Sequence, residues 1–202
     1  MSIVRSALKK CTHVAPDWQA DNLIQQGQLA VVVLAGGMAT RLTWEGPKGA
    51  FPILPGETLF SLLCAKIRAK QEQYQREFTL AIMVSPLNRQ ATKDYFVQNK
   101  FFGLAVQNVF FFEQSMQPLE DRDGRPLKDT QGRLLQGPDG NGSFFTSFAK
   151  SGLLAEFSRR QIKYVQILPI DNPLAVPLDT RLLYFHVAAA NEASLICVSR
   201  KN

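Results

Sequence analysis

Gly36 and Gly37 stand one residue beyond the apolar run Leu29 to Leu34. The stretch they belong to, Leu34-Ala35-Gly36-Gly37-Met38-Ala39-Thr40-Arg41-Leu42, leads on to Lys48 within Gly46-Pro47-Lys48-Gly49. A backbone without side chains can approach a ligand closely and donate its N–H groups to phosphate or base, and a fixed guanidinium with an ammonium can neutralise a polyphosphate. The chemistry this spacing suits is nucleotide binding. It matches neither common fingerprint: GxGxxG lacks its third glycine, and the P-loop pattern GxxxxGK[ST] does not fit Gly-Pro-Lys-Gly, so the NAD-binding and P-loop NTPase readings drop. Gly36-Gly37 by itself would as readily be an ordinary strand-to-helix turn, and Arg41 and Lys48 as readily surface cations; together they are better explained by phosphate. Two further side chains stand beyond apolar runs, Gln114 and Asp171. Gln114 could be a solvated strand end and Asp171-Asn172-Pro173 a plain turn opener.

The elements that must position these residues follow from hydrophobic pattern. Leu29 to Leu34 is β-branched without alternation, as in a strand buried on both faces of a parallel sheet. Thr79 to Val84, Asn108 to Phe112, Tyr164 to Ile170 and Ser194 to Val198 repeat that pattern. Between them Glu57 to Arg76, Asn88 to Asn99, Gly142 to Gln161 and Leu178 to Ala190 carry apolar residues at helical spacing. The alternation predicts an α/β fold with a doubly wound, mostly parallel, Rossmann-like sheet. Ser115 to Gly140 breaks the rhythm with Asp123-Gly124, Gln131-Gly132 and Asp139-Gly140, and predicts a hairpin excursion from the sheet edge. No internal repeat is expected. Residues 1–28 read as a short helical lead-in and residues 29–202 as the nucleotide-binding part. In such sheets ligands bind beyond the carboxyl ends of the strands, where the Gly36-Gly37 loop, Gln114 and Asp171 all fall.

The chain has 202 residues, 46% of them hydrophobic, enough for a real core. Its apolar runs are too short for a membrane helix and its start lacks a signal-peptide core, so a soluble, cytoplasmic protein without a membrane partner is expected. Cys11, Cys64 and Cys197 form no paired motif and read as ordinary reduced thiols. The net charge of +6 suits nucleic acid, an anionic membrane or a phosphate-rich ligand equally. The basic residues are scattered and no RNA-type aromatic signature accompanies them, which makes nucleic acid the weaker partner. His13 and His186 attract no role, His186 reading as a satisfied core histidine. Phe144, Phe145 and Phe148 read as a core stripe.

The motif Leu-Ala-Gly-Gly-x-x-Thr-Arg-Leu with Pro47-Lys48-Gly49 resembles that of the UDP-sugar pyrophosphorylases, most closely the UDP-N-acetylglucosamine pyrophosphorylase branch. The resemblance extends, in the same order, through Lys100-Phe101-Phe102-Gly103-Leu104 and Asn108 to Pro118, Gly137-Pro138-Asp139-Gly140-Asn141-Gly142, and Ile170-Asp171-Asn172-Pro173-Leu174. It covers about residues 29 to 200. Ala39 and Thr43 depart from it, since the family usually has glycine at both; a methyl at position 39 is tolerable only where φ is negative.

The resemblance implies a nucleotidyltransferase-type fold and a uridylyltransferase that joins UTP and a sugar-1-phosphate into a UDP-sugar and pyrophosphate. The backbone of Leu34, Ala35, Gly36 and Gly37 would hold the uridine and its ribose, with Gln114 and Gly140 on the uracil edge. A carboxamide can donate to a uracil oxygen and accept from N3–H, which suits it to select uracil over cytosine. Arg41 and Lys48 would bind the departing phosphates, Asp171 would coordinate Mg²⁺ between the phosphates, and Asn141 would touch the sugar. An oxygen of the sugar phosphate would attack the α-phosphorus in line, which asks the protein for positioning and charge neutralisation and for no nucleophile. Members of the family run on well beyond the motif at Asp171, so a missing C-terminal half or self-association is expected, with exposed apolar surface. A module that binds UTP or UDP-sugar without turnover, and a nucleotidyltransferase for another base, remain as alternatives. Glucose and N-acetylglucosamine stay open as the sugar.

Overall fold

A computed structural model describes residues 18–37 and 44–197. Its elements, in chain order, are α1 (Trp18–Gln25), β1 (Leu29–Leu34), β2 (Pro52–Leu54), β3 (Glu57–Thr58), α2 (Leu59–Tyr74), β4 (Leu80–Val84), α3 (Arg89–Gln98), β5 (Val109–Glu113), β6 (Met116–Pro118), β7 (Gln136–Pro138), α4 (Phe144–Lys150), α5 (Leu153–Arg159), β8 (Tyr164–Pro169) and α6 (Thr180–Ala188). β1, β4, β5 and β8 form one parallel sheet in the order β5-β4-β1-β8, with Leu34 opposite Met83 on one side and Pro169 on the other. The β-branched run of β1 is buried along almost its whole length because helices cover both faces of the sheet.

Alternation along the strands separates the two layers of core. Val31, Val33, Leu80, Ile82, Val84 and Leu168 meet Ile24 of α1, Phe60 and Ile67 of α2, Phe96 of α3 and Leu183 of α6. Ala30, Val32, Ala81, Met83 and Phe112 meet Phe144 and Phe148 of α4 and Leu153 and Phe157 of α5. α1 also packs on α6, so the part of the lead-in from Trp18 to Gln25 belongs to the core, and residues 1–17 lie outside the described residues. The chain winds from β1 outward to β4 and β5, then returns to β8 on the opposite side of β1. That reversal puts a crevice beyond the carboxyl ends of β1 and β8.

The expected hairpin excursion leaves from β5, which is an edge strand. β6 and β7 pair antiparallel, and the arm between them contains a repeat that pattern reading misses. Asp121-Arg122-Asp123-Gly124-Arg125-Pro126-Leu127 and Asp129-Thr130-Gln131-Gly132-Arg133-Leu134-Leu135 share Asp, Gly, Arg and Leu at equal spacing. Each aspartate accepts through Oδ1 from N–H groups two and four residues on: Asp121 from Asp123 and Arg125, Asp129 from Gln131 and Arg133. Leu127 N–H donates to Leu119 O, Leu135 N–H to Leu127 O and Leu119 N–H to Leu135 O, at 2.7, 2.9 and 2.8 Å, which closes a ring.

Other expectations need correction. Ser194 to Cys197 are irregular and not a strand, and Leu195 and Ile196 are exposed; Val198 lies outside the described residues. A short apolar run does not reveal whether a neighbouring strand is there to pair with it. The helix expected from Gly142 to Gln161 is two helices, because Gly152 has φ +79 and takes the left-handed conformation that ends one turn and starts the next. Phe144 and Phe148 are core, but Phe145 is 75% exposed, since adjacent helical residues point about 100° apart. His186 is half-buried on α6, its Nδ1 3.1 Å from Ser194 Oγ and its ring edge-on to Tyr164. Cys64 and Cys197 are free thiols, and burial pushes Cys64 up to about 12. Among the described residues no helix is long and apolar enough to cross a membrane.

Candidate nucleotide site

The loop after β1 is held by side chains from two neighbouring strand ends. Ala35 N–H donates to Met83 O at 2.9 Å and keeps the loop in register with β4. Beyond β5, Gln114 is buried, and its Nε2 donates to Gly36 O at 3.2 Å. A Cβ on Gly36 would lie 2.3 Å from that nitrogen, so any other residue here would have to push the Gln114 carboxamide aside before any ligand is considered. With a carbonyl facing Nε2, the amide orientation is fixed by chemistry, and Oε1 remains as an acceptor. Gly37 is exposed, and a Cβ there would meet only the Lys48 side chain, at 3.9 Å.

Lys48 opens a single 3₁₀ turn, Lys48–Ala50, that follows Pro47. Gly49 in that turn lies against Phe60, whose ring a Cβ would meet at 2.2 Å, which seats the turn on the start of α2. Thr58 and Ser61 form a capping box there, each side chain accepting from the other's backbone N–H. Held in this way, Lys48 Nζ donates to Asp171 Oδ2 at 2.6 Å across 123 residues of sequence. Asp171 follows β8, where Ile170 N–H donates to Leu34 O at 3.2 Å and joins the two strand ends directly. The loop beyond Asp171 is tied down by Lys66 of α2, whose Nζ donates to Pro173 O and Ala175 O, and whose burial lowers its affinity for a proton.

Gly140 has φ +83, with open space where a Cβ would stand, so its glycine answers to backbone conformation and not to crowding. Asp139 N–H donates to Ser115 O at 2.9 Å, and Met116 pairs with Pro138, which brings the Gly140-Asn141 turn beside the end of β5. Asn141 is exposed at the start of a 3₁₀ turn.

The fold therefore gathers Leu34, Ala35, Gly36, Gly37, Lys48, Gln114 and Asp171 beyond the carboxyl ends of β1, β5 and β8, with Gly140 and Asn141 attached through Ser115. Arg41, Ala39 and Thr43 lie outside the described residues. Pattern reading missed Asn88 and Lys66. For Asn88 the available signal was a polar residue just beyond the apolar run of β4; Lys66 lies on a helix face where nothing in the sequence sets it apart. Among the described residues no three acidic, histidine or cysteine side chains come together. A half-exposed Asp171 offers a metal one carboxylate, a donor set that suits Mg²⁺ held mainly by phosphates and water and not one caged by protein.

Comparison with known proteins bears on the family and the fold. The chain is 36% identical over 188 residues to UDP-N-acetylglucosamine diphosphorylase 2 of Arabidopsis thaliana, an alignment of 86% of this chain and 38% of that protein. It is 33% identical over 186 residues to the UDP-N-acetylglucosamine pyrophosphorylase of Saccharomyces cerevisiae, covering 89% of this chain and 39% of the relative. The crystal structure of the uridine diphosphate N-acetylglucosamine pyrophosphorylase from Trypanosoma brucei, in complex with an inhibitor, superposes with a TM-score of 0.77 at 33% identity, over 85% of this chain and 37% of that one. This chain thus spans well under half the length of the proteins it matches. The profile of the UTP–glucose-1-phosphate uridylyltransferase family matches residues 2–202, and the chain belongs to that family.

Proposed function

We propose that this chain carries the UTP site of a uridylyltransferase, in which a sugar-1-phosphate and UTP give a UDP-sugar and pyrophosphate. The observation that carries the reading is the meeting of Lys48 and Asp171 at 2.6 Å beside the exposed Gly37, at the place where the sheet reverses its winding. In this reading Gly36 and Gly37 receive the nucleotide along their backbone, and Gln114 Oε1 accepts from uracil N3–H, which cytosine lacks. An oxygen of the sugar phosphate forms the new bond to the α-phosphorus, while the bond from that phosphorus to the β-bridging oxygen breaks and its electron pair leaves with pyrophosphate. The Lys48 ammonium lies against the leaving group and neutralises the charge growing there, and Arg41 is assigned to the same task. Asp171 is assigned to Mg²⁺ together with phosphate oxygens; when bound, the ion would supply further neutralisation of the phosphates. Asn141 is assigned to the sugar. The names of the relatives favour N-acetylglucosamine over glucose. The free thiols Cys64 and Cys197 support a reducing, cytoplasmic setting.

The test is pyrophosphate release from UTP and Mg²⁺ with N-acetylglucosamine-1-phosphate or glucose-1-phosphate in separate reactions, with UTP, CTP and ATP binding followed by calorimetry. Lys48→Ala is expected to lower turnover by about 100-fold or more and to weaken UTP binding by about tenfold, because the missing charge matters most where charge develops. Unchanged turnover in that variant would remove Lys48 from the mechanism. A second reading is a module that binds UTP or a UDP-sugar without turnover. UTP binding with no pyrophosphate release from either sugar would establish it.

A further inference from the structure

Asn88 belongs to none of the motifs and is completely buried. It stands at the start of α3, yet its side chain caps no N–H of that helix. Its Oδ1 accepts from Ser85 N–H at 2.8 Å, and its Nδ2 donates to Ala35 O at 3.0 Å and Gly37 O at 3.3 Å. The assignment of the amide is not ambiguous. The reverse orientation would set an NH₂ against an N–H and an oxygen against two carbonyls. The residue itself is rooted by its own backbone, with its N–H donating to Ser85 O and its carbonyl accepting from Thr92 N–H.

With Gln114 on Gly36 O, the carbonyls of residues 35, 36 and 37 are each engaged by a carboxamide side chain. A trans peptide is planar, and its N–H points opposite to its C=O. Fixing Ala35 O inward on Asn88 therefore turns Gly36 N–H the other way. Gln114 does the same for Gly37 N–H.

We infer that Asn88 is a positioning residue of the nucleotide site: its carboxamide clamps the carbonyls on both sides of Gly36 and so aims the loop's N–H groups at the bound nucleotide. This rests on the nucleotide reading given above. An aimed donor need not reorganise when ligand arrives, whereas a loose loop must be ordered at the cost of affinity.

The test pairs two variants. Asn88→Asp keeps the acceptor for Ser85 N–H but sets an oxygen against both carbonyls; Asn88→Ser removes the reach to those carbonyls without adding charge and serves if the aspartate variant does not fold. In each, UTP affinity by calorimetry is expected to fall about tenfold or more. Amide exchange should accelerate in the peptide holding residues 34–37 while β4 and α2 keep wild-type protection. Wild-type affinity in both variants overturns the role, as does affinity lost together with faster exchange across the whole sheet, which would make Asn88 merely structural. A wild-type chain with no affinity for UTP is a different result: it overturns the nucleotide reading, and this role with it.

Discussion

The residues around Gly36 show that a loop glycine can be constrained from inside the protein. The Gln114 carboxamide fills the space a Cβ would need, so Gly36→Ala must displace either the loop or the Gln114 side chain. UTP affinity of that variant is expected to fall by about tenfold or more, measured by calorimetry, with the loss exceeding any change in melting temperature, because the clash is local. Equal affinity would mean that Gln114 yields without consequence. The double glycine, Gln114 and Asp171 were legible because each follows an apolar run, and such runs become strands whose carboxyl ends converge; Lys48 was legible by its place in Gly46-Pro47-Lys48-Gly49 behind that loop. Asn88 was not legible in the same way. Its meaning lies in a hydrogen bond across 53 residues, and polar residues after a strand are too common for one of them to stand out.

At the scale of elements, the strands were readable where burial on both faces demands unbroken apolar runs, as in β1 and β4. The helices were readable by spacing, but the break between α4 and α5 was not, since it depends on one left-handed residue, Gly152. α5 also carries a charge arrangement that makes a pH prediction. Hydrogen bonds from Arg159 and then Arg160 hold the Glu156 carboxyl down at about 2, against an ordinary 4.5. Arg160 goes on to Asn108 Oδ1 at 2.6 Å and Gln107 O at 2.8 Å, which ties α5 to the entrance of β5. A depressed carboxyl contributes stability that is present above its unfolded value and is lost as pH falls through the folded one. Unfolding midpoints in urea should therefore decline from about pH 4.5 toward about pH 2, and Glu156→Gln should flatten that part of the profile. An unaltered acid limb in the variant would show that the pairing is screened by solvent.

At the scale of the molecule, the described residues leave apolar surface open on one side. β8 alternates buried and exposed residues, with Val165 and Ile167 outward, while β1 beside it is closed on both faces. Its outer edge has no partner strand among the described residues, and Leu195 and Ile196 are exposed as well. Such an edge invites association. The purified chain is expected to bind a hydrophobic dye and to show concentration-dependent larger species by light scattering; a sharp monomer without dye binding would overturn this. The opposite extreme is the arm between β6 and β7. The ring through Leu119, Leu127 and Leu135 is built from neighbouring repeats, whereas pairing Leu29 with Tyr164 brings together residues 135 apart in sequence. Closing a short loop loses far less chain entropy than closing a long one. The arm should thus gain its shape early in folding, before the parallel sheet closes, and so form the Gly140 turn ahead of the strand ends beside it.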